Sequence, residues 1–268
     1  MTDPKGTDRL RDAFKRTLFH GWAAGNECLV ATPGAKEATT LLVLALTAQG
    51  DSIGIVTPNW PSYKDIVSAT GRRFHALPTN LTNAFTLDDR VLRDCKSCNL
   101  VILSDPNNPT GRIYGRDEID ALVTACRAHG TWLVLDQSFS DVVEPDCQLT
   151  RYQTWPYEKL IVINSVSKNY ALQGLRLGAI LAPKTVADRL AELQLALLSP
   201  PSVAAQGIYS ELADRDALAL PHVASRREKT RRVLSRLRSV SFADTGGSFY
   251  FFPHVTELEQ VRRRLESQ

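Results

Sequence analysis

The chain has 268 residues, with 32 Lys and Arg against 29 Asp and Glu. Hydrophobic residues make up 43% and charged residues 23%, a globular balance that excludes a disordered or fibrous chain. The net charge of +3 is too small and too evenly spread to point to nucleic acid, and the longest apolar run, Leu41–Leu46, falls far short of the ~20 residues of a membrane span. In chain order, the polar stretch Met1–Gly6 has no signal-peptide core, which makes a cytoplasmic protein the expectation. Cys28–Ala31 reads as a short strand, followed by a Pro33-Gly34 turn and a helix over Ala35–Ala48. Ser52–Thr57 and Asn99–Ser104 are apolar strands, the second leading into the loop Asp105–Gly111. Ile119, Leu122, Val123 and Cys126 fall at i, i+3, i+4 and i+7 of an amphipathic helix. Trp132–Leu135 is an unbroken apolar run ending at Asp136, and Leu160–Ile163 is a similar run leading to Asn164-Ser165.

Near-continuous apolar strands separated by helices predict a mainly parallel sheet covered on both faces. The character changes after about Pro183. Ala187–Ser199 is helical, Pro200-Pro201 breaks it, and a helix resumes at Val203. The Arg-rich stretch Arg226–Arg238 reads as a solvated helix face. Val240–Ala243 and Ser248–Phe252 read as strands flanking Gly246-Gly247, with a last helix over Glu257–Leu265. The expected organisation is a large α/β domain over residues 1–183 and a small α+β subdomain over residues 184–268. Of the five cysteines, Cys28, Cys95, Cys98, Cys126 and Cys147, four read as small buried hydrophobes. Cys95 and Cys98 have metal-ligand spacing, but no second pair and no nearby His accompany them, so no metal is expected.

Ligands of such sheets bind beyond the carboxyl ends of the strands, where Asp136 and Ser165 fall. Lys168, just past a buried strand and among hydroxyls, is suited to imine formation, and Arg176 to clamping a phosphate. The plainer alternatives are a surface lysine and a structural arginine. Asp136 needs a partner if buried: a protonated ring nitrogen, or, more plainly, a helix cap or a salt bridge. Asp105–Gly111 is a rigid turn that would aim Asn108 at a ligand oxygen. Gly34, Ala35 and Lys36 open a helix, a setting that suits phosphate. Trp60 offers a flat face for stacking, although a Trp is more often core.

The order of these features resembles the class I/II aminotransferases, fold type I enzymes that use pyridoxal 5′-phosphate (PLP). Asp105–Gly111 is similar to the family's N-P-T-G turn, Ser165-Val166-Ser167-Lys168 to its S-x-S-K motif, and Gly174-Leu175-Arg176-Leu177-Gly178 to its G-L-R-x-G motif. Gly246–Tyr250 resembles the late strand of the smaller domain, and the likeness runs from about Pro4 to Pro253, nearest in look to the histidinol-phosphate branch. The resemblance implies a three-layer PLP-dependent transferase-like fold, a homodimer and an aminotransferase acting on an amino acid or related amine through a Lys168 internal aldimine. Lys168 and Asp136 would be catalytic, Asp136 pairing with the pyridine nitrogen. Asn108 would donate to the ring O3′, Trp60 would stack, and Gly34, Ala35, Lys36, Ser165, Ser167 and Arg176 would hold the phosphate.

Three departures from the family pattern stand out. Phe139 occupies a position where many members carry a Tyr, and it cannot donate to O3′. The sequence before Pro4 is shorter than the family's N-terminal arm, with Met1 about where a Tyr usually reaches the neighbouring subunit's phosphate. Nothing matches the family's C-terminal carboxylate-binding Arg; Arg262, Arg263 and Arg264 lie on the last helix and are no convincing replacement. These departures raise two alternatives: a PLP-dependent decarboxylase, lyase or cyclase of a modified amino acid, or a non-catalytic relative or half of a heteromer.

Overall fold

Four of the apolar runs become the centre of one sheet. A computed structural model describes residues 3–20, 25, 28–143, 157–218 and 223–266. Strands β1 (Leu29–Thr32), β2 (Ser52–Thr57), β3 (Arg73–Pro78), β4 (Leu100–Ser104), β5 (Trp132–Asp136), β6 (Leu160–Ser165) and β7 (Gly178–Leu181) lie in the order β1-β7-β6-β5-β4-β2-β3. The stretch from β6 to β3 is parallel, and β7 runs antiparallel between β6 and β1. Ser104 pairs with Asp136, and Ser165 with Gly178, which itself pairs with Thr32. The register therefore delivers the ends of β4, β5, β6 and β1 to one edge of the sheet.

The period-2 alternation of side chains divides the core between two faces. On one face Val101, Leu103, Leu133, Leu135 and Val162 meet three helices, α1 (Asp8–Thr17), α5 (Arg116–His129) and α8 (Val203–Asp214). On the other, Leu100, Ile102, Val134, Ile161 and Ile163 meet α2 (Ala35–Leu46), α3 (Ser62–Ala69) and α7 (Lys184–Leu197). This is the expected three-layer arrangement. The remaining helices are α4 (Asp89–Asp94), α6 (Val166–Asn169), α9 (Ala224–Leu234) and α10 (Leu258–Glu266). Cys95, Cys98 and Cys126 are buried in the first core cluster, where burial pushes the Cys98 thiol up to about 12; Cys147 lies outside the described residues. Among the described residues, no helix is long and apolar enough to cross a membrane.

The C-terminal part departs from its expected pairing. Val240–Ser241 (β8) pairs with His254–Val255 (β9), and Ser248–Phe252 is not a strand. Ser248 takes a φ of 55°, and one buried cation draws off the carbonyls of this segment. That cation is Arg227, on the helix expected to be a solvated arginine face; its Nη1 donates to Gly247 O, Ser248 O and Tyr250 O at 2.9, 2.9 and 3.1 Å. Its guanidinium lies 4.6 Å from the Phe251 ring centroid. Gly246 and Gly247 instead bridge to Arg112 and Val143, beside the Asn108 turn and beyond β5.

Candidate active site

The strand ends and the loops after them enclose a cavity of about 330 Å³, inside the roughly 300–1,000 Å³ range of small-molecule sites. Ala35, Lys36, Trp60, Asn108, Asp136, Phe139, Ser165, Ser167, Lys168 and Arg176, all singled out in the sequence, line it. Gly34 lies directly behind Arg176: a Cβ there would sit 2.5 Å from Arg176 Nη2, and its φ of 110° is one that glycine tolerates. Tyr63, Ser104, Ser138, Gln173 and Tyr250 also line the cavity and were not singled out.

Asp136 ends β5 as a side chain only 3% exposed. Its Oδ1 accepts from Ser138 N at 3.0 Å and Ser138 Oγ at 2.6 Å, and its Oδ2 accepts from Tyr63 Oη at 2.6 Å. Burial pushes its pKa up, while the Ser138 and Tyr63 donors pull it back down. A carboxylate has about four lone-pair sites, so three donors leave acceptor capacity on a group that borders the cavity.

Two polar networks hold the surrounding turns. Asn107 Oδ1 accepts from Thr110 N and Thr110 Oγ1 at 3.2 and 2.8 Å, which commits Asn107 to the turn and leaves Asn108 on the cavity. Beneath the Lys168 turn, buried Asn164 accepts from Ser165 N and Asn169 Nδ2, both at 2.7 Å, and donates to Leu18 O at 2.8 Å. Ser165 caps α6 by accepting from Ser167 N at 3.1 Å. Among the described residues, Lys168 Nζ makes no hydrogen bond or ion pair and lies 5.7 Å from the Phe249 ring centroid.

Cations gather toward the β7–β1 side of the sheet. Arg176 Nη2 donates to Pro33 O at 3.1 Å and reaches Glu37 Oε2 at 3.5 Å. Lys36, in the first turn of α2, lies 5.3 Å from the Trp60 ring centroid. Trp60 in turn meets Tyr63 edge-on at 5.4 Å. Phe139 packs against Phe249 and Tyr250 at 5.4 and 5.8 Å, so an aromatic wall stands where a hydroxyl was noted as missing. Arg262, on the last helix, pairs with Glu266 and does not line the cavity.

Fold and site together define an α/β protein whose strand ends present a buried acid, an uncommitted lysine and a cationic helix start to one small-molecule cavity. A sequence model of aminotransferase class I and II matches residues 1–258, and the chain belongs to that family. It is 26% identical over 265 residues to a bifunctional aspartate aminotransferase and glutamate/aspartate-prephenate aminotransferase of Petunia hybrida, covering 94% of this chain and 55% of that protein. It is 28% identical over 208 residues to an aspartate aminotransferase of Musicola paradisiaca, covering 72% of this chain and 50% of that protein. The chain thus spans about half the length of these two relatives. A mutant of Thermus thermophilus aspartate aminotransferase superposes with a TM-score of 0.87 at 24% identity, covering 99% of this chain and 77% of the other. An aminotransferase from Mycobacterium tuberculosis superposes with a TM-score of 0.84 at 25% identity, covering 99% and 72%.

The family's cofactor is PLP, and the residues present fit it. Asp136 keeps acceptor capacity toward the cavity, suited to a protonated ring nitrogen. Gly34 leaves room for the Arg176 guanidinium at the start of α2, a setting that would suit the cofactor's phosphate.

Proposed function

We propose that the chain is a PLP-dependent aminotransferase acting on an amino acid or related amine, with Lys168 as its catalytic amine. The observation that carries this reading is the convergence of Asn108 from the β4–α5 loop, Asp136 from the end of β5, and Lys168 and Arg176 from the β6–β7 connection on one cavity. Lys168 Nζ would hold the cofactor covalently and, once released, take the proton from the donor's Cα as general base. Bound there, PLP would supply the sink for the electron pair that this proton leaves behind. Asp136 would keep the ring nitrogen protonated, and Asn108 would donate to the ring hydroxyl oxygen, a contact Phe139 has no group to share. Trp60 would cover one ring face. Ser165, Ser167, Arg176, Lys36 and the backbone of Gly34 and Ala35 would hold the phosphate.

A homodimer is part of this proposal. Leu195, Leu197, Leu198, Val203 and Ile208 are 43–58% exposed around the Pro200-Pro201 break. Leu198 and Ile208 border a groove of about 360 Å³ that also reaches Arg176. Clusters of exposed apolar side chains mark association surfaces, and this groove shares Arg176 with the site.

The test is a donor panel run on the PLP-loaded protein without an acceptor. It includes aspartate and glutamate, which the Petunia relative's name carries, with valine, phenylalanine and histidinol phosphate, the last for the branch the motifs resemble. The expected result is one equivalent of oxo product per site from at least one donor, read by mass spectrometry. Carbon dioxide or ammonia released in its place favours the decarboxylase or lyase alternative, and no reaction with any donor overturns the proposal.

A further inference from the structure

Tyr63 lies in the first turn of α3, three residues after Trp60, and its phenol is buried at 2% exposure. It has no assigned role in the scheme above. Its Oη donates to Asp136 Oδ2 at 2.6 Å. Ser104, whose hydroxyl donates to Pro106 O at 2.9 Å, lines the cavity together with Tyr63. One short segment, Trp60–Tyr63, therefore brings an indole to the cavity and a hydroxyl to its buried acid. We propose that Tyr63 is a positioning residue for Asp136: its hydrogen bond fixes the carboxylate and lowers its basicity, so that a proton shared between Asp136 and the cofactor's ring nitrogen resides on the nitrogen.

The argument is a competition for one proton. A buried carboxylate favours its neutral form, because burial penalises charge. An Asp136 left to burial alone would take the proton and leave the ring nitrogen neutral, which weakens the ring as an electron sink. Each donor to the carboxylate works against that outcome. Ser138 supplies two donors to Oδ1, and Tyr63 supplies the one at Oδ2. The side chains that donate to the carboxylate are Tyr63 and Ser138, neither of them a cation, and these hydrogen bonds are what offset its burial. The phenol stays a donor, since burial and the adjacent Asp136 charge hold its own ionisation well above the ordinary range.

This inference rests on the cofactor reading, and the test separates the two. The wild type and Tyr63→Phe are loaded with PLP labelled with ¹⁵N in the ring, and the nitrogen chemical shift is read by NMR. Phe keeps the ring volume and the edge contact with Trp60. The wild type is expected at the protonated-nitrogen position. Tyr63→Phe is expected to move toward the unprotonated position by about half the separation or more, because loss of one charge-assisted hydrogen bond shifts the relative basicity about tenfold or more. Difluorotyrosine at position 63, a stronger donor of nearly the same shape, is expected to stay at the protonated position, and it serves if Tyr63→Phe does not fold. A Tyr63→Phe shift equal to wild type, or a difluorotyrosine shift toward the unprotonated position, overturns the inference and leaves the cofactor reading intact. A wild type that takes up no labelled PLP overturns both.

Discussion

Asp136 answers two opposed requirements. As a carboxylate ending a buried strand it costs the empty protein stability, and the same burial makes it a strong partner for a cationic nitrogen. Its folded pKa is raised above the value near 3.9 of an unfolded Asp. For an acid with a raised folded value, the protein binds more protons folded than unfolded between the two values. Stability is therefore lost as pH climbs through that window, and it stays lost above it. Asp136→Asn removes the charge while keeping the shape. Without cofactor, the variant is expected to be more stable than wild type at pH 8, because it buries no charge. The difference should shrink toward pH 4, and PLP affinity should fall. Urea unfolding at the two pH values reads the first effect and cofactor titration the second; equal stabilities at pH 8 would contradict the account.

At the scale of elements, the segment Gly246–Tyr250 joins the C-terminal part to the site. Gly247 N donates to Gly111 O at 3.0 Å, Thr245 Oγ1 to Thr110 O at 2.7 Å and Ser248 N to Val142 O at 2.6 Å. The Asn108 turn and the chain after Phe139 are thus both tied to one segment, whose carbonyls Arg227 gathers from behind. Arg227→Leu is expected to destabilise the protein by about 1–3 kcal/mol for each carbonyl left without a donor. It should also loosen Tyr250 at the cavity wall, seen as faster amide exchange at residues 246–250. Unchanged exchange there would show that the arginine does not hold the segment.

How much of this could be read in the sequence follows from the physics of each element. β4, β5 and β6 were legible because strands buried on both faces become continuous apolar runs. β3 was not, since an edge strand with Arg73 and His75 shows little apolar pattern. The motif residues at the strand ends were legible because cofactor chemistry limits residue type. Tyr63 was not, because a tyrosine on an amphipathic helix looks like core; its one signal was the three-residue spacing that places it beside Trp60. Arg227 was hidden among neighbours that do face solvent, and charge pattern alone cannot pick one buried arginine from such a run.

At the scale of the whole molecule, the arrangement places the anion-binding end of the cavity beside the apolar groove at Pro200-Pro201, with Arg176 on both. If that groove is covered by a second copy, as proposed, association and cofactor retention are linked. Ile208 is 52% exposed, so Ile208→Asp should leave the fold intact while breaking association. Analytical ultracentrifugation is expected to find a dimer for the wild type and a monomer for Ile208→Asp, with weaker PLP retention in the monomer. A wild type that sediments as a monomer at micromolar concentration would remove the dimer from the account.

The proposed activity depends on Lys168 as the point of attachment. The most direct measurement is to load the protein with PLP, reduce it with borohydride, digest it and locate the modified residue by mass spectrometry. The account predicts one reduced adduct, on the peptide carrying Lys168, and none in Lys168→Ala. An adduct confined to another lysine, or no adduct at all, would contradict it.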